Sequence, residues 1–185
     1  MNRRLPPLPI EQLSPEQRLV AQSIEAGPRR SLGGPFHAWL RSPVLADRLQ
    51  KVGEYVRFDN ILPRRLSEFA ILITARHWTA QFEWYAHHPL ALAAGLDPAI
   101  AAAVALNQAP EPLQDDERAL YGFATELHRT GRVGDAAYAE ALARLGEQGV
   151  VELIAICGYY SLVAMTLNVA EVALPAGVPA PLAEG

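Results

Sequence analysis

The stretch at residues 77–90, HWTAQFEWYAHHPL, crowds aromatic side chains, histidines and a carboxylate together, whereas His37 and His128 stand apart from any such group. Within it Glu83 and His87 lie four residues apart. On a helix that spacing puts both side chains on one face about a turn apart, close enough to share a proton or to grip one substrate group. A third titratable group precedes them. Glu68 falls on the apolar run FAILITA, one step from Phe69 and four from Leu72, where an ionised carboxylate is costly without a partner. A histidine from the neighbouring helix is the natural partner. Such a contact fixes the imidazole tautomer and raises its basicity, while burial raises the pKa of a carboxyl group. Glu68, Glu83 and His87 together are equipment for general acid/base catalysis. Trp84 and Tyr159 are expected to contact the substrate. Pro89, inside the same helix, leaves the carbonyl of Tyr85 without its usual donor near this face.

Each of these residues also has a plainer reading. A Glu and a His four apart are often only a solvated helix pair. Aromatic residues such as Trp84, Tyr159 and Tyr160 are commonly core or interface residues. A metal site built on Glu83, His87 and His88 is open but poorly furnished, because adjacent helical residues point about 100° apart and a third ligand has to come from elsewhere. Cys157, the only cysteine, sits in an apolar helix with nothing nearby to make it a thiolate, and reads as inert core.

The elements that must position these groups are all helical. SPEQRLVAQSIEAG begins with Ser14 as cap, Pro15 in the first turn and Gln17 three residues past the cap, and it ends at Gly27-Pro28. RRSLGGPFHAWLR contains a Gly-Gly-Pro loop, and Ser42-Pro43 starts a helix through about Val56. A further helix restarts at Pro63, with Leu66, Phe69, Ala70 and Ile73 at helical steps. The chemistry-bearing stretch forms its own helix to Gly95. Asp97-Pro98 caps a short alanine-rich helix. QDDERALYGFATELHRTG is amphipathic, and DAAYAEALARLG forms another helix. The last, EQGVVELIAICGYYSLVAMTLNVAEVAL, is apolar nearly all round and belongs in a core or between subunits. Residues 1–13 and 175–185 are expected to be loose. Laying SEFAILITARHW over VELIAICGYYSL aligns Glu68 with Glu152 and suggests two weakly related helical halves. The chemistry does not repeat, because Glu171 and Leu167 stand where His87 and Glu83 would recur.

Composition bounds the functions. A chain of 185 residues, 50% hydrophobic and 19% charged, can bury one good core and has apolar surface to spare for a subunit interface, so we expect a single domain over 1–185. A formal net charge of −4 offers no basic field, which argues against nucleic acid and anionic membranes as partners. Prolines interrupt the start before any apolar run of signal-peptide length, and no stretch reaches about 18 uninterrupted apolar residues. With one cysteine there is no internal disulfide or CxxC redox pair, and a cytoplasmic protein is expected.

The order of residues carries the reading further. Glu68, eleven residues, Ala80, two residues, Glu83, three residues, His87 resembles the signature of the alkylhydroperoxidase D-like and carboxymuconolactone decarboxylase superfamily. In the peroxidase branch cysteines occupy the two inner positions. Here those are Ala80 and Glu83, while Glu68 and His87 keep their places. The flanking PRRLSEFAILITAR, FEWYAHHPLALAAGL and LVAMTLNVAEVAL resemble the decarboxylase-like branch, and the likeness covers about residues 35–175. The resemblance implies an all-α alkylhydroperoxidase D-like fold and a homo-oligomer, a trimer or hexamer. Without a thiol pair, peroxide reduction is not expected, since no disulfide can form. What it implies instead is a cofactor-free lyase or isomerase acting on a small carboxylated lactone or related ring-cleavage product. In that reading His87 donates and accepts the proton, Glu68 orients and charge-balances it, and Glu83 contacts the substrate or repels its carboxylate. Two other classes stay open: a non-catalytic oligomer that binds a small ligand, and a metalloenzyme using Glu83 and His87.

Overall fold

Caps and breakers punctuate the chain as their chemistry dictates. The computed structural model describes residues 4–183, which form eight α-helices and no strand among the described residues. Helix α1 (Pro15–Ala26) opens with a capping box: the Ser14 hydroxyl accepts from the Gln17 backbone N–H, and the Gln17 side chain accepts from the Ser14 backbone N–H. A short α2 (Phe36–Trp39) follows the Gly-Gly-Pro loop. Helix α3 (Pro43–Glu54) does not stop cleanly but widens into a π-helical turn, Tyr55–Asp59. Then come α4 (Arg64–His77), α5 (Gln81–Ala93), α6 (Pro98–Ala105) and α7 (Asp115–Thr130). The Asp97 side chain caps α6 by accepting from the Ala99 N–H.

The last element, α8 (Asp135–Ala170), is broken at Gly146, whose φ of 71° lies in the left-handed region that glycine enters without strain. The break separates the two helical stretches expected there. By length and composition α8 could cross a membrane, but 56% of its most apolar window is buried among the other helices.

Helix α4 is the centre of the fold. Every residue from Leu66 to Ala75 is buried, because the helix packs against α5, α6, α7 and α8 at once. The main core joins its Phe69, Ile71 and Leu72 to Phe123 of α7 and to Leu153, Ile156 and Cys157 of α8. The Cys157 thiol is 1% exposed and burial pushes its pKa up to about 12, so it stays a thiol.

The described parts of the two terminal segments make specific contacts with the helical body. Arg4 donates from its backbone N–H to the carbonyl of Ala170, Arg41 donates to the carbonyl of Pro6, and Leu13 is buried against Leu40. At the other end Leu182 is 2% exposed, and the Gln81 side chain both donates to its carbonyl and accepts from its N–H. Arg76 donates to the carbonyl of Ala183. Within this proline- and alanine-rich tail, Leu182 is the residue that reaches the core. Residues 1–3 and 184–185 of these segments lie outside the described residues.

Candidate functional site

Four separate pieces of chain line one cavity of about 210 Å³. Helix α5 supplies Glu83 and His87, α8 supplies Tyr159 and Tyr160, and the π-helical turn supplies Arg57. Arg29 and Gly33-Gly34-Pro35 come from the loop between α1 and α2, and Phe36 from the start of α2 itself. Glu68 of α4 lies behind the wall, fully buried.

The four-residue spacing of Glu83 and His87 does place both on the cavity face of α5. Behind it, His87 Nδ1 is 2.7 Å from Glu68 Oε2, and the other Glu68 oxygen is 2.6 Å from Arg64 Nη2. A carboxylate held by arginine accepts, so Nδ1 carries the proton and donates it, which leaves Nε2 with a lone pair. Burial lowers the His87 pKa, and the hydrogen bond to Glu68 only partly offsets this. The imidazole is therefore neutral near pH 7, a base rather than a charged acid. The edge of Tyr160 meets its ring at 5.0 Å and an interplanar angle of 84°.

Glu83 is 1% exposed, and neither carboxyl oxygen finds a hydrogen-bond partner among the described residues. Burial pushes its pKa well above the ordinary carboxyl range. A buried carboxyl in that condition holds its proton to higher pH than an ordinary one and can donate it. Neutral His87 and protonated Glu83 thus face one space with opposite proton-transfer capacities, an arrangement in which environment rather than residue type separates base from acid.

Sequence reasoning missed the cationic side of the cavity. Arg29 leaves Nε and Nη2, and Arg57 leaves Nε, without partners although these atoms are buried, and neither guanidinium forms an ion pair among the described residues. Aromatic faces hold them instead: Arg29 lies 5.2 Å from the centre of Phe36, and Arg57 5.1 Å from that of Phe58. The hydroxyl of Tyr160 is likewise buried without a partner. Unpartnered buried donors are rare because each forgoes its bonds to water. Their convergence on one cavity, with an unpartnered carboxyl opposite, describes a place shaped for a polar, anionic occupant. Gly53 of α3 makes the arrangement possible, since a methyl group there would overlap both the Tyr159 hydroxyl and the Arg29 guanidinium. The pair Arg29-Arg30 beside a Gly-Gly-Pro loop was a usable signal. Arg57 had none, because its direction depends on the π-helical turn.

Tyr159 lines the cavity as expected, and burial raises its pKa to about 12. Trp84 does not line it. It is 3% exposed and stacks on His88 at 5.8 Å, facing a different depression with Tyr85 and Pro89. One residue's step around α5 carries it off the Glu83 face. Among the described residues no three His, Cys, Asp or Glu side chains converge as metal ligands, so Glu83 and His87 lack a third. No protein-family model matches the chain, and no curated protein matches its sequence.

Proposed function

We propose that this protein is a cofactor-free lyase or isomerase of the carboxymuconolactone decarboxylase type, acting on a small carboxylated lactone or related ring-cleavage product. The observation that carries the reading is the meeting on one cavity of His87, its pKa lowered by burial, Glu83, its pKa raised by burial, and two unpaired arginines. Arg29 and Arg57 hold a carboxylate that the reaction retains, because a carboxylate in an arginine grip is stabilised against leaving. This removes the difficulty of placing an anion beside Glu68 and Glu83: one is matched by Arg64, and the other is uncharged.

In decarboxylation, the carbon–carbon bond to a second carboxylate breaks and CO2 departs. The electron pair flows into the conjugated lactone carbonyl, and Glu83 gives its proton to the carbanionic carbon. Solvent then restores the Glu83 proton. In isomerisation His87 Nε2 takes a proton from carbon next to the carbonyl, Glu68 steadies the imidazolium, and Glu83 protonates the other end of the conjugated system. Proton donation thus falls to Glu83 in both reactions, and His87 is the acceptor in the isomerisation. Simple mutual satisfaction of Glu83 and His87 in a binding protein is disfavoured, since Glu83 makes no hydrogen bond to His87. The test is turnover of carboxymuconolactone, followed by product and CO2. Release of CO2 that depends on Glu83 is expected for decarboxylation, and conversion without CO2 that depends on both Glu83 and His87 for isomerisation; no conversion of the lactone by the wild type overturns the reading.

The same proposal makes the chain a cytoplasmic homo-oligomer, a trimer or hexamer. Val151, Ile154, Met165 and Val169 are 64%, 47%, 40% and 61% exposed and recur at helical steps along α8, an apolar stripe suited to another subunit. Light scattering at micromolar concentration is expected to give a multiple of the 20.1 kDa chain. A monomeric mass refutes the assembly.

A further inference from the structure

The C-terminal ends of α4 and α7 meet over a second cavity, of about 450 Å³. Arg76 and His77 enter it from α4, and His128 and Arg129 from α7. Asn107, Gln108 and Thr125 add uncharged polar groups, and no carboxylate lines it. In a chain whose formal net charge is −4, a concave surface with two arginines and no acidic side chain is selective for negative charge.

The imidazoles are fixed there. His77 and His128 stack at 4.8 Å, 20° from parallel. Thr74 donates its hydroxyl proton to the carbonyl of Ala70, so its oxygen accepts from His128 Nε2 at 2.9 Å. This pins the His128 ring and its tautomer. Arg76 donates through Nη1 to the carbonyl of Ala183, yet its buried Nε has no partner. Opposite these groups, Ile73, Val104 and Tyr121 supply an apolar wall, with Tyr121 itself held by stacking on Phe69 at 6.1 Å.

We propose that this cleft is a second binding site, taking a small organic oxyanion whose phosphate or carboxylate head lies on Arg76, His77 and Arg129 and whose apolar body lies on Ile73, Val104 and Tyr121. It shares no lining residue with the Glu83 cavity. The inference therefore stands apart from the catalytic reading.

The test is titration of the full chain with phenyl phosphate, benzoate and inorganic phosphate, read by the NMR ring signals of His77 and His128. Phenyl phosphate or benzoate is expected to shift both rings saturably, with a Kd of about 1 mM or tighter. The tighter of the two identifies the head group. Inorganic phosphate is expected to bind more weakly because it lacks the apolar body. Arg129→Gln, at an exposed position that leaves folding intact, is expected to weaken binding about tenfold, the loss of roughly one charge-assisted contact. Arg29→Gln in the other cavity leaves the His77 and His128 titration unchanged, which separates this site from the first. The proposal is overturned if neither organic anion shifts these rings, if Arg129→Gln and Arg76→Gln both bind as the wild type does, or if inorganic phosphate binds as tightly as phenyl phosphate.

Discussion

Glu68 and Glu152 occupy matching places in two similar stretches, SEFAILITARHW and VELIAICGYYSL, and both are buried, at 0% and 4% exposure. Their surroundings differ. Glu152 accepts from the Tyr55 hydroxyl at 2.5 Å, the Ile61 backbone N–H at 2.7 Å and the Gln148 amide at 2.9 Å. Burial works to raise its pKa, but these hydrogen bonds outweigh burial and hold it below the usual range. Every one of those partners ends within the fold, tying the π-helical turn and the start of the α4 loop to α8. Glu68 is matched by Arg64 and His87, and His87 has a second nitrogen left over beside a cavity. The same residue type at the same depth is therefore a structural tie in one half and the back of a candidate catalytic group in the other. What decides between them is whether the partner still has bonding capacity to offer.

The sharpest way to break the comparison is at that leftover capacity. Glu83→Gln is expected to lower turnover in either reaction, and His87→Gln in the isomerisation, by about a hundred- to ten-thousand-fold while leaving the protein folded, since neither amide can carry the proton. His88→Gln, whose ring stacks on Trp84 away from the cavity, is expected to lose less than about tenfold, below the range of a lost acid or base. Steady-state rates beside thermal melts decide it; equal losses at His87 and His88 would make His87 structural.

The two glutamates then provide the direct contrast. Glu68→Gln is expected to reduce turnover about ten- to a hundredfold, as removal of a carboxylate that orients a functional histidine does. Glu152→Gln is expected to leave turnover per folded molecule unchanged and to reduce unfolding free energy by about 1–3 kcal/mol, because charged acceptors for Tyr55 and Ile61 are lost. Denaturant melts and active-site-normalised rates on the same samples separate the effects. A catalytic loss confined to the Glu152 variant would reverse the roles.

The smallest expected effect is in the pH dependence of stability, where Glu83 and Glu152 have opposite signs. The folded-state pKa of Glu83 is raised, so its stability contribution is complete below the unfolded value of about 4.3 and is lost as pH rises toward the folded value. Through that window the unfolded state releases a proton that the folded state keeps, at up to about 1.4 kcal/mol per pH unit. Glu152 is depressed, so its contribution is complete above about 4.3 and is lost as pH falls through the folded value. Glu83→Gln should therefore flatten the decline above pH 4.3, and Glu152→Gln the decline below it. Melts across pH that show both variants flattening the same limb contradict the assignment.

Helix ends were readable because they are local chemistry: Ser14, Asp97 and Gly146 each act within one turn of themselves. The pairing of Glu68 with a histidine across two helices was readable for a different reason, namely that a carboxylate placed among FAILITA has to be compensated. Arg57 was out of reach, since the π-helical turn that aims it arises from how α3 meets its neighbours. Trp84, expected at the substrate, faces a different depression, because a helical wheel gives relative angles and does not say which sector faces a cavity. Arg29 is signalled locally only as part of a basic pair near a Gly-Gly-Pro loop; that it meets α5 and α8 depends on a chain separation that no local pattern spans.

The anchoring of Leu182 makes the end of the chain a mechanical handle. Its backbone is clasped twice by Gln81, and Gln81 is the first residue of α5, two positions before Glu83. Tension applied to the chain beyond Ala183, from a fused domain or a surface attachment, would be borne first by the Arg76 bond to Ala183 and next by that clasp. It would pass from there into the helix that carries Glu83 and His87, while the same pull on a loop tip such as Gly131 would enter the fold far from them in sequence.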